Sequence, residues 1–214
     1  FDRFRTFPNI TDMEDERAFT KLVETLVAEH ITVVPILGQG MSEVRGTHDV
    51  DSGFMDRLLM TRISRRVLAE QHIALHKAQT SKVGPRQGYI GVIRTECKLQ
   101  DVVRRCFEKA ASICERTYGH YPPLQFRGDP DVTLAYIPVH LEYMILELMK
   151  NAMRCTVEFA EQSNPPAAAG AVVGNDQHFS DLMQSVPITA TLACTDDFTT
   201  LRLSDYGGGI PVSI

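Results

Sequence analysis

The hydrophobic pattern of this 214-residue chain changes character near position 80, and this change constrains the fold most strongly. Before it, apolar residues recur at helical spacing only. Residues 80–87 are polar and include Gly84-Pro85, and after them strand-like and helical patterns alternate. We therefore predict an α+β protein with an N-terminal helical bundle domain over 1–80, incomplete within this chain. A second domain over 88–214 is predicted as an α/β sandwich whose mixed sheet is covered by helices on one face.

The first domain shows two amphipathic patterns. The capping-box sequence Thr11-Asp12-Met13-Glu14 predicts a helix start at Thr11. This helix is expected to end near His30, because Pro35 and Gly38-Gln39-Gly40 break the pattern. A linker over 46–53 precedes a long helix over 54–76. The apolar face predicted for the long helix consists of Met60, Ile63, Val67 and Ala74.

The second domain mixes both kinds of element. In chain order we predict a strand at 89–93, a helix over 99–113, a strand at 124–126, a helix over 140–161 and a hairpin over 188–203. Ile188, Ala190, Leu192 and Cys194 alternate with polar residues, which predicts the first strand of the hairpin. Residues 164–185 are rich in Ala, Gly, Pro and polar residues, which predicts a long flexible insertion. The chain begins at Phe1 without an initiator Met, which indicates a start within a domain. At its C-terminal end we expect the second domain to be truncated before a lid.

Composition excludes several classes of function. The formal net charge is -5 and the pI about 5.8, which argues against a sequence-independent nucleic-acid binder. No apolar run approaches the roughly 18 residues of a membrane span, so no membrane insertion is expected. Five cysteines without a C-x-x-C motif indicate reduced thiols. Cys106 and Cys114 are assigned to a helical core face.

A row of polar side chains follows the predicted helix over 140–161. Within an arc of roughly 100° lie Glu147, Lys150, Asn151, Arg154 and Glu158. Carboxylates act as general bases, amide oxygens suit magnesium, and cations bind phosphate oxygens. The alternative is a solvated face with ion pairs such as Glu147 with Lys150. The apolar arc beside the row is expected to be buried, and it comprises Leu141, Met144, Ile145, Leu148, Ala152 and Phe159.

A second feature follows the last predicted strand. There the sequence reads Ser204-Asp205-Tyr206-Gly207-Gly208-Gly209. An aspartate at a strand end can accept a hydrogen bond from a purine amino group, and the glycines let backbone approach a base and sugar. The alternative is a plain glycine turn, because a lone glycine cluster is weak evidence.

Together these two motifs resemble the nucleotide-binding domain of the gyrase, Hsp90, histidine-kinase and MutL ATPases. Within that group the sequence is similar to the mitochondrial 2-oxo acid dehydrogenase kinases, which comprise the branched-chain and pyruvate dehydrogenase kinases. The matching segments are Leu146–Glu158 and the pattern Phe54-Met55-Asp56-Arg57, Thr61-Arg62-Ile63-Ser64-Arg65-Arg66 and Gln71-His72. The resemblance therefore spans both predicted domains.

The resemblance implies an ATP- and Mg²⁺-dependent protein-serine kinase of the mitochondrial matrix. It would phosphorylate, and so inhibit, the dehydrogenase component of a 2-oxo acid dehydrogenase complex. By position, Glu147 would be the general base, Asn151 would hold the metal, and Arg154 with Lys150 would lie near the phosphates. Asp205 would contact adenine, and Gly207 and Gly209 would shape the pocket. Implied partners are the dehydrogenase, the lipoyl-bearing acyltransferase core and a second copy of the chain.

The sequence departs from the family pattern at two tyrosines. Tyr143 stands where pyruvate dehydrogenase kinases usually have a histidine. Together with His72-Ile73-Ala74-Leu75-His76, it looks more like the branched-chain branch. Tyr206 replaces the more usual arginine after the aspartate. These departures and the missing lid keep open a catalytically weak relative that acts as a binding module on the lipoyl-bearing core. A non-kinase ATPase or histidine kinase of the same fold is a third possibility. His72 lies where histidine kinases carry their acceptor, and we interpret it as a structural or interdomain residue.

Overall fold

Helices dominate the first part of the chain and strands enter in the second. The computed structural model describes residues 2–44, 52–82, 84–163 and 175–209. Two units divide at position 93/94. The first contains α1 (Asp2–Arg5), α2 (Met13–Glu29), α3 (Val33–Val44), α4 (Ser52–Thr80) and β1 (Tyr89–Ile90). From the division onward come β2 (Ile93–Lys98), α5 (Leu99–Tyr118), β3 (Leu124–Gly128), β4 (Thr133–Tyr136), α6 (Pro138–Ser163), α7 (Asn175–Ser185), β5 (Ile188–Cys194) and β6 (Thr199–Ser204). The predicted α+β class is confirmed.

In the first unit, α2 packs against α4 through buried and half-buried side chains. Thr20 and Val23 are the buried residues of α2. The Thr20 hydroxyl lies 2.9 Å from His72 Nε2, and His76 Nδ1 lies 2.5 Å from Glu16 Oε2. The two α4 histidines therefore hydrogen-bond with α2, which supports a structural interpretation of His72.

The start of α2 is shifted from the predicted position. The N-cap is Asp12, whose side chain accepts hydrogen bonds from the backbone N–H groups of Glu14 and Asp15. Thr11 instead donates its N–H and hydroxyl to Asp15 Oδ2, at 3.0 and 2.8 Å. These bonds from Thr11 lower the pKa of the Asp15 carboxyl. The capping-box placement at Thr11 was wrong by one residue, because aspartate is the stronger cap.

The predicted break after His30 is only a short turn. α2 ends at Glu29 as expected, but α3 continues across Pro35 and Gly38-Gln39-Gly40, where we predicted no helix. Pro35 lies in the first turn of α3, where its missing N–H removes no helical hydrogen bond. Part of the predicted linker over 46–53 lies outside the described residues.

The predicted apolar face of α4 was partly wrong. Met60 is 66% and Ile63 is 54% exposed, whereas Val67 and Ala74 are half-buried. The helix packs on α2 through the face that carries His72 and His76, so hydrophobic spacing alone misplaced the contact. The helix itself is confirmed, and it is longer than the predicted 54–76 at both ends.

One described stretch, Met13–Glu43, reaches the length and hydropathy of a membrane-spanning helix. Its most apolar 18-residue window has a mean hydropathy of 1.2, and 6% of that window is buried. The expectation that no apolar run approaches the length of a membrane span was therefore wrong. By composition alone such a stretch is weak evidence, and it includes the turn between α2 and α3. The absence of membrane insertion stays a prediction.

The sheet of the second unit is mixed. β3 pairs in parallel with β5, with Phe126 opposite Ala190, and β5 pairs antiparallel with β6, with Ala190 opposite Leu203. The predicted hairpin is confirmed. Ile188, Ala190 and Leu192 of the predicted alternating set are buried, but Cys194, at the end of β5, is exposed. The three buried residues share one core with the buried faces of α5 and α6.

A second, smaller pairing joins β2 and β4 antiparallel, with Cys97 opposite Leu134. We did not predict β4, which has only four residues. The predicted strand over 89–93 is interrupted at Gly91, whose φ is +62°. An added Cβ there would overlap the Gln71 amide, whose Oε1 accepts the Val92 N–H at 2.8 Å.

α5 and α6 supply the largest part of the core. On α5 the buried residues recur at helical spacing, and Cys106 and Cys114 are among them, as predicted. The helix ends at Gly119, whose φ of +76° is the left-handed conformation typical of a helix C-terminus.

The predicted flexible insertion over 164–185 was wrong in its second half. Residues 164–174 lie outside the described residues, but 175–185 form α7. Met183 is 1% exposed, and Phe179 and Leu182 pack against the core. The polar composition of α7 concealed a short amphipathic helix.

Candidate functional site

The polar row of α6 lies on the side of the helix opposite to the core. The buried face consists of Leu141, Ile145, Met149, Ala152, Met153, Thr156, Val157 and Ala160. Met144, Leu148 and Phe159 are 44–56% exposed, so assigning them to the buried face was wrong. The core contacts the side of α6 that carries Met149 and Met153. The side chains of the row are therefore accessible from outside the core.

Glu147 and Lys150 form an ion pair within the row. Lys150 Nζ donates to Glu147 Oε1 at 2.8 Å, and the two side chains are 34% and 41% exposed respectively. This is the pair that the solvated-face alternative predicts. The second carboxylate oxygen of Glu147 has no hydrogen-bond partner among the described residues.

Asn151 and Arg154 are both exposed, and Arg154 lies near the end of α5. There the Tyr118 hydroxyl donates to Glu158 Oε1 at 2.9 Å. This hydrogen bond raises the pKa of Tyr118, and the positive charge of Arg154 acts in the opposite direction. Glu158, at the end of the row, is thus tied to α5.

Asp205 begins a tight turn directly after β6. Its Oδ1 accepts the Gly207 N–H at 2.8 Å, which is an Asx turn. One carboxylate oxygen of Asp205 is thus bonded to the backbone two residues further on, and the side chain is exposed. The φ angles of Gly208 and Gly209, +78° and +82°, are those that glycine adopts most readily.

This turn lies directly on α6. A Cβ at Gly207 would overlap the Cβ of Cys155, and a Cβ at Gly208 would come within 2.7 Å of the Phe159 ring. None of the described residues lies within 4 Å of the position that a Cβ at Gly209 would take. Gly207 and Gly208 therefore allow the turn to pack closely on the helix.

The structure thus brings the glycine turn beside the polar row. Cys155, which contacts Gly207, follows Asn151 by four residues, or about 6 Å along the helix axis. Residues four apart share a helix face, so Asn151 lies one turn from the contact. Glu147 is one further turn away on the same side. All of these residues belong to one unit.

The donor chemistry of this surface suits a magnesium–phosphate ligand. The Asn151 amide oxygen is a hard ligand of the kind that magnesium prefers, and the Glu147 carboxylate lies one helical turn before it. Lys150 and Arg154 are cations that suit phosphate oxygens. Among the described residues there is no group of three or more His, Cys, Asp or Glu side chains that could hold a metal by themselves.

Sequence reasoning missed the residues that hold the turn on α6. Thr156 Oγ1 accepts the Tyr206 N–H at 3.3 Å, and Cys155 and Phe159 flank the glycines. A threonine in the buried face of a helix is a weak sequence signal. The partner lies 50 residues away, so spacing alone does not reveal it.

The comparisons with known proteins cover both units. The family model described as mitochondrial branched-chain alpha-ketoacid dehydrogenase kinase matches residues 1–94. A mitochondrial pyruvate dehydrogenase (acetyl-transferring) kinase of Arabidopsis thaliana is 33% identical over an alignment of 215 residues, gaps included, that covers 98% of this chain and 52% of the relative.

Mammalian relatives that match this chain are also named as pyruvate dehydrogenase kinases. Isozyme 4 of the mitochondrial pyruvate dehydrogenase (acetyl-transferring) kinase is 35% identical over 218 residues in Mus musculus, and 33% identical over 217 residues in Homo sapiens. Both alignments cover 94% of this chain and 47% of the relative. The chain spans about half the length of the curated relatives it matches.

Proposed function

Since the chain belongs to the mitochondrial 2-oxo acid dehydrogenase kinase family, we propose that its protein phosphorylates and inhibits the dehydrogenase component of such a complex, using ATP. The structural observation that carries the proposal is the glycine turn after β6, packed on α6 one helical turn from Asn151. This arrangement supports a nucleotide site along the exposed row of α6.

In this proposal each residue of the row has a role in phosphoryl transfer, which depends mainly on positioning and charge neutralisation. Glu147 accepts the proton of the substrate hydroxyl through its available oxygen. Asn151 holds the metal ion, and Lys150 and Arg154 orient the phosphates. Mg²⁺, when bound, neutralises phosphate charge. Asp205 accepts a hydrogen bond from the adenine amino group, and Gly207 and Gly209 shape the pocket.

The finer parts of the proposal concern specificity and assembly. We propose serine as the acceptor, the mitochondrial matrix as the location, the lipoyl-bearing acyltransferase core as the docking partner and a homodimer as the assembly. The branched-chain complex is favoured by Tyr143 and by the family that matches residues 1–94. The curated relatives named above are pyruvate dehydrogenase kinases, so both complexes belong in the test.

The first test concerns the nucleotide site. We expect Asn151→Ala, in the full-length protein, to abolish Mg²⁺-dependent ATP binding, because the amide oxygen that holds the metal is removed. Isothermal titration calorimetry measures this directly. Gln184→Ala removes an exposed amide from α7 in the same unit and should bind ATP normally. Unchanged ATP affinity in Asn151→Ala would refute the role of Asn151.

The second test separates a kinase from a catalytically weak binding module. Radiolabelled ATP is incubated with the full-length protein and either the branched-chain or the pyruvate dehydrogenase complex. Label on a dehydrogenase serine supports the proposed kinase and identifies the preferred complex. Core binding without label on either dehydrogenase would support the binding module instead.

A further inference from the structure

The buried hydroxyl of Thr156 connects α6 to the backbone of the turn after β6. Thr156 is 1% exposed, and it is one of two buried polar residues in the part of the chain that the structure describes. Its Oγ1 accepts the N–H of Tyr206 at 3.3 Å, across 50 residues of sequence. Burying a hydroxyl without a hydrogen-bond partner destabilises the folded state, and the Tyr206 N–H supplies that partner here.

The hydrogen bond from Tyr206 to Thr156 lies at the centre of the turn that orients Asp205. Tyr206 lies between Asp205 and Gly207, and Asp205 Oδ1 accepts the Gly207 N–H at 2.8 Å. Thr156 therefore binds the middle residue of the Asx turn that orients the Asp205 carboxylate. Without an acceptor, the Tyr206 N–H would be left facing the helix.

The two glycines fit the same contact. Gly207 lies against Cys155, which precedes Thr156, and Gly208 lies against the Phe159 ring, almost one turn further on. The turn is thus held at three successive residues, by one hydrogen bond and two close packing contacts. The glycines allow the turn to come close to α6. The hydrogen bond to Thr156 also fixes the orientation of the turn, because a hydrogen bond is directional.

We propose that Thr156 is a positioning residue for nucleotide binding, which holds the Asp205–Gly207 turn on α6 and thereby sets the orientation of the Asp205 carboxylate. This inference rests on the proposed function, because it assumes that Asp205 binds the base. The anchoring contact itself does not depend on that assumption and can be tested separately.

The experiment compares Thr156→Val, which keeps the shape but removes the acceptor, with Thr156→Ser, which keeps the oxygen. Thr117→Val is the control, because the exposed hydroxyl of Thr117 donates to Ile113 O of its own helix, α5, and is assigned no part in holding the turn. For each full-length variant we would measure hydrogen exchange of the Tyr206 amide by NMR, the affinity for ATP by calorimetry, and KM and kcat of label transfer.

In Thr156→Val we expect faster exchange of the Tyr206 amide and a KM and Kd for ATP raised roughly tenfold, as for the loss of one hydrogen bond. The kcat should remain near that of the wild type, because Glu147 is untouched. Thr156→Ser should restore both the exchange protection and the affinity. A mainly structural role would instead lower the folded fraction, and so the apparent kcat, without raising KM.

Unchanged Tyr206 exchange in Thr156→Val would overturn the anchoring contact. Faster exchange with unchanged ATP affinity would overturn the positioning role. If the wild type itself binds no ATP, the proposed function fails and the positioning role fails with it, while the exchange data still decide whether Thr156 anchors the turn.

Discussion

At the scale of single residues, the contact between Lys150 and Glu147 fits both interpretations of the polar row. A surface ion pair of this kind contributes little to stability, about 0–1 kcal/mol. It occupies one oxygen of Glu147 and leaves the other without a hydrogen-bond partner among the described residues, where a substrate hydroxyl can bind. The nearby glycine turn, rather than the ion pair, makes the nucleotide interpretation the better one.

Cys114 shows how burial changes the chemistry of a side chain. Desolvation raises the pKa of its thiol to about 11, because the buried site disfavours the thiolate. It is one of three buried free cysteines on β2 and α5 among the described residues. This matches the core assignment made from helical spacing.

The raised pKa of Cys114 predicts a stability change in alkaline solution. The unfolded state releases this proton near pH 9 and the native state near pH 11, so the stabilisation is complete below pH 9 and is lost as the pH rises to about 11. In Cys114→Ala the free energy of unfolding should therefore decline less steeply across this interval. Urea titrations at several pH values measure this decline. Equal slopes in the two proteins would contradict the prediction.

At the scale of elements, the structure shows which face of each helix is buried by packing and which face remains exposed. α6 keeps its core on one side and its polar row on the other, and the glycine turn contacts it between the two. α4 contacts α2 through histidines, while Met60 and Ile63 remain exposed. Hydrophobic spacing identified both helices, but it did not identify which apolar residues are covered.

α7 is the element whose contribution is easiest to measure. Met183→Ala should destabilise the second unit by about 2–5 kcal/mol, because it leaves a cavity where a fully buried methionine stood. Denaturant unfolding followed by circular dichroism measures the loss. Met144→Ala is the control, since that side chain is 44% exposed and should cost much less. Equal effects of the two substitutions would show that α7 does not pack on the core.

At the scale of the whole molecule, the chain comprises a helical unit over 1–93 and a mixed unit over 94–214. The proposed nucleotide site lies entirely within the second unit, whereas the family model matches residues 1–94. The alignments to the curated relatives extend over both units. Catalysis on a protein substrate is therefore a property to test with the full-length protein.

We expect Glu147→Gln in the full-length protein to lower the kcat of label transfer about 10²- to 10⁴-fold. Affinity for ATP should be unchanged, because the amide keeps an oxygen and the phosphate-binding cations remain. Radiolabel incorporation and calorimetry measure the two quantities. Glu161→Gln, an exposed substitution near the end of the same helix, should leave both unchanged. Transfer at the wild-type rate by Glu147→Gln would exclude Glu147 as the base.

Much of the fold could be predicted from the sequence because local patterns encode it. The spacing of apolar residues identified α5, α6 and the β5–β6 hairpin, and the row from Glu147 to Glu158 follows from helical geometry alone. α7 was missed because its polar composition hid a short amphipathic segment. The helix α3 was not predicted because Pro35 was taken as a helix breaker, although proline is tolerated in the first turn of a helix.

The sequence by itself determined the class of fold, the polar row on α6 and the glycine-rich turn, since each depends on residues close together in the chain. Only the tertiary structure decided that the turn packs on α6 at Cys155, Thr156 and Phe159, and that Met144 and Leu148 lie exposed. The physical reason is that burial and close approach arise between elements far apart in sequence. No local periodicity records which surfaces meet.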